Sequence, residues 1–135
     1  MTRLADIPVV MDDGGLTGSA PAVLREVAAL LETLCRTGET ASIDLRGLPL
    51  SLADRRWLLE RLGKGEVDIA LDIGGGSRIA ETAYPGVWWV THDNEQGVQV
   101  GEFIEVSYVP ELLAPHPEDV ENGLDSLKTR ISELS

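Results

Sequence analysis

Glu66-Val67-Asp68-Ile69-Ala70-Leu71-Asp72-Ile73 is the stretch on which the reading of the fold turns. Val67, Ile69, Leu71 and Ile73 alternate with Glu66, Asp68, Ala70 and Asp72, the period-two pattern of a strand with one face toward a core. Gly74-Gly75-Gly76 then turns the chain. A second strand is expected over Ser77 to Thr82, ended by Tyr84-Pro85-Gly86. A third covers Val87-Trp88-Trp89-Val90-Thr91 and leads into the polar tip His92 to Gly97. A fourth runs from Val98 to Val109 and stops at Pro110. The links are too short for parallel crossovers, so these strands form an antiparallel meander.

Upstream of Gly65 the apolar spacing is helical. Val23, Val27, Leu30, Leu31 and Leu34 recur at three and four residues, with Thr17 or Ser19 as the N-cap, Pro21 in the first turn and Gly38 as the stop. Ala41 to Arg46 alternates like a short strand. Ser51 with Asp54 three residues on resembles a capping box, opening a helix whose stripe is Leu52, Leu59 and Leu62, with Trp57 and Leu58 widening the face, and whose end is Gly63 and Gly65. Ile7 to Met11 is read as an edge strand, because Pro8 has no N–H for a ladder. From Glu118 onward, Val120, Leu124, Leu127, Ile131 and Leu134 mark an amphipathic terminal helix, interrupted by Gly123. The expected class is α+β: an antiparallel β-meander in a mixed sheet, helices packed on one face, and an amphipathic C-terminal helix over about 117–134. The 135 residues fit a single domain, 1–135.

A formal net charge of −12 repels phosphates, which argues against nucleic acid and anionic membranes as partners. Solubility alone accounts for such charge, and attraction to a basic protein surface is the sharper alternative. One cysteine, Cys35, excludes an intrachain disulfide, and its place on the apolar side of the first helix predicts a buried small side chain. Met1 to Met11 lacks the pattern of a signal peptide, and no window approaches 18 apolar residues, so a cytoplasmic protein with no membrane span is expected.

Catalytic and cofactor motifs are not found. Gly74-Gly75-Gly76 lacks the surroundings of a phosphate-binding loop. His92 and His116, with Asp93 or Glu95, form no recognised ligand spacing. No Gly-x-Ser-x-Gly elbow occurs. No catalytic residue, metal or cofactor is therefore expected. Trp88 and Trp89 differ in kind, since adjacent strand residues point to opposite faces. Trp88 is assigned to the structural side. Trp89, with Glu81 and Glu105 on neighbouring strands, is assigned to partner contact, because Trp is enriched at interface hot spots. The terminal helix is one candidate to cover the sheet's second face.

Leu59-x-x-Leu-Gly followed by Gly65-Glu66-Val67, then Glu81-Thr82, Pro85-Gly86-Val87-Trp88-Trp89-Val90, Gly101-Glu102-Phe103-Ile104-Glu105-Val106 and Val109-Pro110 together resemble the conserved region of the HupH/HyaF hydrogenase expression/formation proteins, over about 21–113. Family members are often longer, with two related copies of this region where this chain has one. The resemblance implies a non-catalytic accessory protein in nickel–iron hydrogenase maturation. Its partner would be a hydrogenase subunit precursor or another hydrogenase accessory protein, with a homodimer left open. A small-ligand or metallocentre-intermediate binding domain in the same pathway is the alternative.

Overall fold

The computed structural model describes residues 15–72 and 75–134. The edge strand expected over Ile7 to Met11 lies outside them. Helix α1 spans Ser19–Thr37, strand β1 Ala41–Asp44, helix α2 Leu52–Leu62, strands β2 Asp68–Leu71, β3 Ser77–Glu81, β4 Val87–Asp93 and β5 Gln99–Val106, and helix α3 Pro117–Ser132. Two 3-10 turns, Leu45–Gly47 and Glu111–Leu113, complete the set. The strands lie in the order β1-β5-β4-β3-β2. All four pairings are antiparallel, so the sheet is not mixed as the sequence suggested. The physical reason is that β1, which lies between α1 and α2 in the chain, joins the open side of β5 and runs antiparallel to it.

Cross-strand partners share a face. Ile43, Ile104, Val87 and Trp89 point to the side where Ala20, Val23 and Val27 of α1 and Leu58 and Leu62 of α2 close the main core. Ile79, Trp88 and Val90 point to the other side and form a second, smaller cluster with Ile69, Leu71, Phe103 and Leu113. The two tryptophans thus anchor two cores, one on each face.

Several local expectations shift. Gly18, not Thr17 or Ser19, occupies the N-cap of α1, while Thr17 Oγ1 accepts the Ser19 N–H at 3.2 Å. Thr17 is drawn away because its hydroxyl donates to Asp54 Oδ2 at 2.6 Å. Cys35 is exposed: it lies one residue past buried Leu34, and a step of about 100° carries it off the core face. On α2 the Ser51–Asp54 capping box forms as expected, yet the buried residues are Asp54, Leu58 and Leu62. Leu62 of the expected stripe and Leu58 of its widened face are buried, whereas Leu52 and Leu59 are each 46% exposed, so the core-facing side is centred on Leu58 and Leu62. Strand β1 ends at Asp44, whose carboxylate accepts the Arg46 N–H at 3.0 Å and turns the chain.

Helix α3 carries its amphipathic pattern but buries none of its residues. It does not cover the second face. That job falls to the segment after β5: Leu113 packs on the smaller cluster, and Trp88 Nε1 donates to the Ser107 carbonyl at 3.0 Å.

Candidate functional site

Helices α1 and α2 cover the β1-β5-β4 side of the main face and leave β3 and β2 partly open. There the C-terminal end of α2 and the following Gly63-Lys64-Gly65 overhang the sheet and form a cleft of about 310 Å³. Its floor is Leu62, Ala80 and Trp89, with Leu59 and Val67 at the mouth. Lys64, Asp68, Arg78 and Thr91 supply the polar rim.

The rim is organised by one close ion pair. Arg78 Nε and a terminal nitrogen donate to Asp68 Oδ1 and Oδ2 at 3.0 and 2.6 Å across the β2–β3 ladder. The hydrogen bonds from Arg78, then its charge, hold the Asp68 carboxyl below its usual range, and Asp68 in turn raises Arg78. Both side chains are largely exposed, so the pair orients the rim more than it stabilises the fold.

Behind the floor sits a buried charge. Glu102 is 6% exposed, accepts Trp89 Nε1–H on Oε2 at 3.1 Å, and has Oε1 within 2.9 Å of Arg55 Nε. The Arg55 contact is electrostatic and not an aligned hydrogen bond, since neither atom finds a partner in good geometry. It compensates the carboxylate's loss of water and locks the Trp89 ring against α2.

Of the residues assigned to partner contact, Trp89 and Glu81 line this cleft, while Glu105 lies on the opposite face beside Trp88. Trp89 is not an outward ring: it is 7% exposed, as is Trp88, because α2 roofs it. Strand alternation correctly separated the two rings but carries no information on which face would be roofed more heavily. Glu81 and Glu105 both act on the backbone. Glu81 Oε1 accepts the N–H groups of Glu66 and Val67 at 2.9 and 3.2 Å. Glu105 Oε2 accepts Ser107 Oγ–H at 2.9 Å and Glu111 N–H at 2.8 Å, pinning the segment that covers Trp88.

Spacing marks Asp54 as the capping-box partner of Ser51 but gives no sign of its burial or of its contact with Thr17. Asp54 is fully buried and accepts Thr17 N–H and Oγ1–H at 3.0 and 2.6 Å and Ser51 N–H at 2.9 Å. Burial alone would raise its carboxyl, but these hydrogen bonds outweigh it and hold the group below its usual value. The capping-box pattern placed Asp54 on the helix; the contact with Thr17, 37 positions away, has no local signature.

Catalytic constellations are sparse. Ser77 Oγ and His92 Nδ1 lie 2.7 Å apart, a cross-strand pair on the second face, with the His92 ring edge-on to Phe103 at 5.7 Å. His116 instead caps α3, its Nδ1 3.4 Å from Glu118 N. Among the described residues no group of three His, Cys, Asp or Glu side chains is placed to hold a metal ion.

Residues 17–134 match the family model of the HupH hydrogenase expression protein, C-terminal conserved region. The chain belongs to the HupH family. Its curated relatives include hydrogenase expression/formation protein HoxQ of Azotobacter vinelandii, 33% identical over 84% of this chain and 41% of that protein. Hydrogenase expression/formation protein HupH of Rhodobacter capsulatus is 32% identical over 82% of this chain and 40% of its own length. The chain therefore spans about two-fifths of the curated HupH relatives it matches. Among solved structures, hydrogenase expression protein HupH from Thiobacillus denitrificans ATCC 25259 superposes with a TM-score of 0.83 at 44% identity, covering 88% of this chain and 99% of that one. The segments that carry the resemblance have a physical meaning in the structure: Glu81, Gly86, Trp88, Trp89, Glu102 and Glu105 are the clamps and rings that hold the meander's two faces.

Proposed function

We propose that this chain is a non-catalytic cytoplasmic accessory protein that holds an immature hydrogenase subunit, or another maturation factor, during assembly of nickel–iron hydrogenase. The observation that carries the reading is the cleft beside α2: an apolar floor of Leu62, Ala80 and Trp89 with a charged rim. Such a surface suits a protruding apolar side chain flanked by polar groups. Among the described residues no helix is long and apolar enough to cross a membrane.

A small-ligand or metallocentre-intermediate role draws support from the cleft's size, at the lower end of the range of ligand pockets. Leu59 lies at the mouth and is half exposed, so Leu59→Lys should leave the fold intact and abolish seating of an apolar group. The test is a pull-down from hydrogenase-expressing cells with the wild type and Leu59→Lys, with captured proteins identified by mass spectrometry. A hydrogenase subunit or maturation factor captured by the wild type and lost in the variant is expected. Capture unaffected by Leu59→Lys would overturn the cleft as the seat, and absence of any hydrogenase-related protein would overturn the accessory role. Deleting the gene, in a strain without a paralogue, should leave the subunits translated but reduce mature, active enzyme. Unchanged processing and activity would count against the proposal.

A further inference from the structure

Helix α3 presents Val120, Leu124, Leu127 and Ile131 at 55, 50, 58 and 56% exposure, and Leu134 follows in the turn past its end at 79%. Their spacing is four, three, four and three residues, the strict two-in-seven seam of a coiled coil and narrower than the stripe of a helix that lies on a sheet. A helix of 16 residues is marginal alone in water, and this one buries no residue within its own chain. The partner its seam fits is another helix with the same seam.

We propose that α3 is a self-association element that pairs antiparallel with α3 of a second copy about a two-fold axis. Charge selects the direction. Glu121 and Lys128 flank the seam on the same side, one heptad apart. An antiparallel pair with Leu124 against Leu127 of the other copy sets Glu121 of each helix beside Lys128 of its mate, twice by symmetry. Val120 then meets Ile131, and all four layers are apolar. A parallel pair would set Gly123 opposite Lys128 and form no such ion pairs. The antiparallel arrangement also opposes the two helix dipoles, with Glu118 and Asp119 in the first turn and Arg130 in the last. A two-fold contact of this kind is self-complementary and closes at the dimer.

The seam is short, so association should be reversible, with a dissociation constant on the order of tens of micromolar. Sedimentation velocity on the full chain across about 5 μM to 1 mM reads it, with far-ultraviolet circular dichroism and thermal melting as fold controls. Leu124→Glu should give a monomer with the core melting transition unchanged. Glu121→Lys should raise the dissociation constant about tenfold or more by placing like charges together twice, and Glu121→Lys with Lys128→Glu should restore it. A wild type that stays monomeric throughout, or a dimer indifferent to Leu124→Glu, overturns the proposal. Loss of dimer with Leu124→Glu but no rescue by the charge exchange overturns the antiparallel register. The hydrogenase-related function is read separately by the pull-down, so failure of one leaves the other standing.

Discussion

Trp88 and Trp89 are adjacent in the chain and serve opposite faces, each 7% exposed and each with its indole N–H satisfied. Trp88→Ala and Trp89→Ala should each destabilise by about 3–5 kcal/mol, the range for large aromatic deletions in a core. Trp89→Phe should cost less, about 1–3 kcal/mol, mainly from leaving Glu102 without its donor. Denaturant melts of the three variants check this; a near-neutral Trp89→Ala would contradict its place under α2. Asp54 makes a different kind of claim. Its folded-state pKa lies below the ordinary 3.8, so its stabilisation is present above that pH and disappears as pH falls through the folded value. Asp54→Asn should therefore cost about 1–3 kcal/mol at pH 7, and the gap between variant and wild type should narrow steadily below about pH 4. Urea midpoints at pH 7 and pH 3 give the answer, and a gap independent of pH would remove the carboxylate from the account.

Among the elements, the β2–β3 hairpin shows how backbone and carboxylate are fitted together. Gly65 N–H bonds to the Glu81 carbonyl at 2.8 Å, and a Cβ at Gly65 would come within 2.5 Å of both Glu81 Oε1 and the Thr82 carbonyl. The carboxylate could swing away only by giving up the Glu66 and Val67 amides, and the carbonyl belongs to the backbone. Gly65→Ala should thus destabilise by about 1–3 kcal/mol. Gly47→Ala, whose nearest neighbour would lie at 3.7 Å, should stay within about 0.5 kcal/mol. Parallel thermal melts compare the two, and equal effects would show that backbone freedom and not close approach governs Gly65. A similar constraint holds the β3–β4 corner, where Gly86 takes φ of 94° with Leu31 of α1 packed against it. Helix α3 is the exception, an amphipathic element without a core to join in its own chain.

For the molecule taken whole, the net charge of −12 surrounds a cleft whose own rim carries Lys64 and Arg78 beside Asp68 and Glu81. If the surplus of acid steers a basic partner, its association rate should fall as salt rises, since the screening length shrinks from about 10 Å at 0.1 M to about 3 Å at 1 M. The dissociation rate should change less. Stopped-flow association across that range, using the hydrogenase-related protein captured in the pull-down, reads the effect; a flat association rate would leave the charge as a solubility device.

The meander, the α+β class and the two main helices were legible in the chain because each rests on local periodicity and turn chemistry: alternation in 67–73, the Ser51–Asp54 box, and Gly38 and Gly63 at helix ends. The family resemblance was carried by Glu81, Gly86, Trp88 and Glu105, whose roles as clamps needed coordinates to see. What remained hidden depends on long-range packing. The sheet order, the pairing of β1 with β5, the burial of both tryptophans and the Thr17–Asp54 contact join residues far apart in sequence. A periodic pattern states which face of an element is apolar; it does not state what covers that face. For that reason Cys35 could be placed on the wrong side of α1, and α3 could be assigned to a sheet face that Leu113 and the Ser107 carbonyl occupy instead.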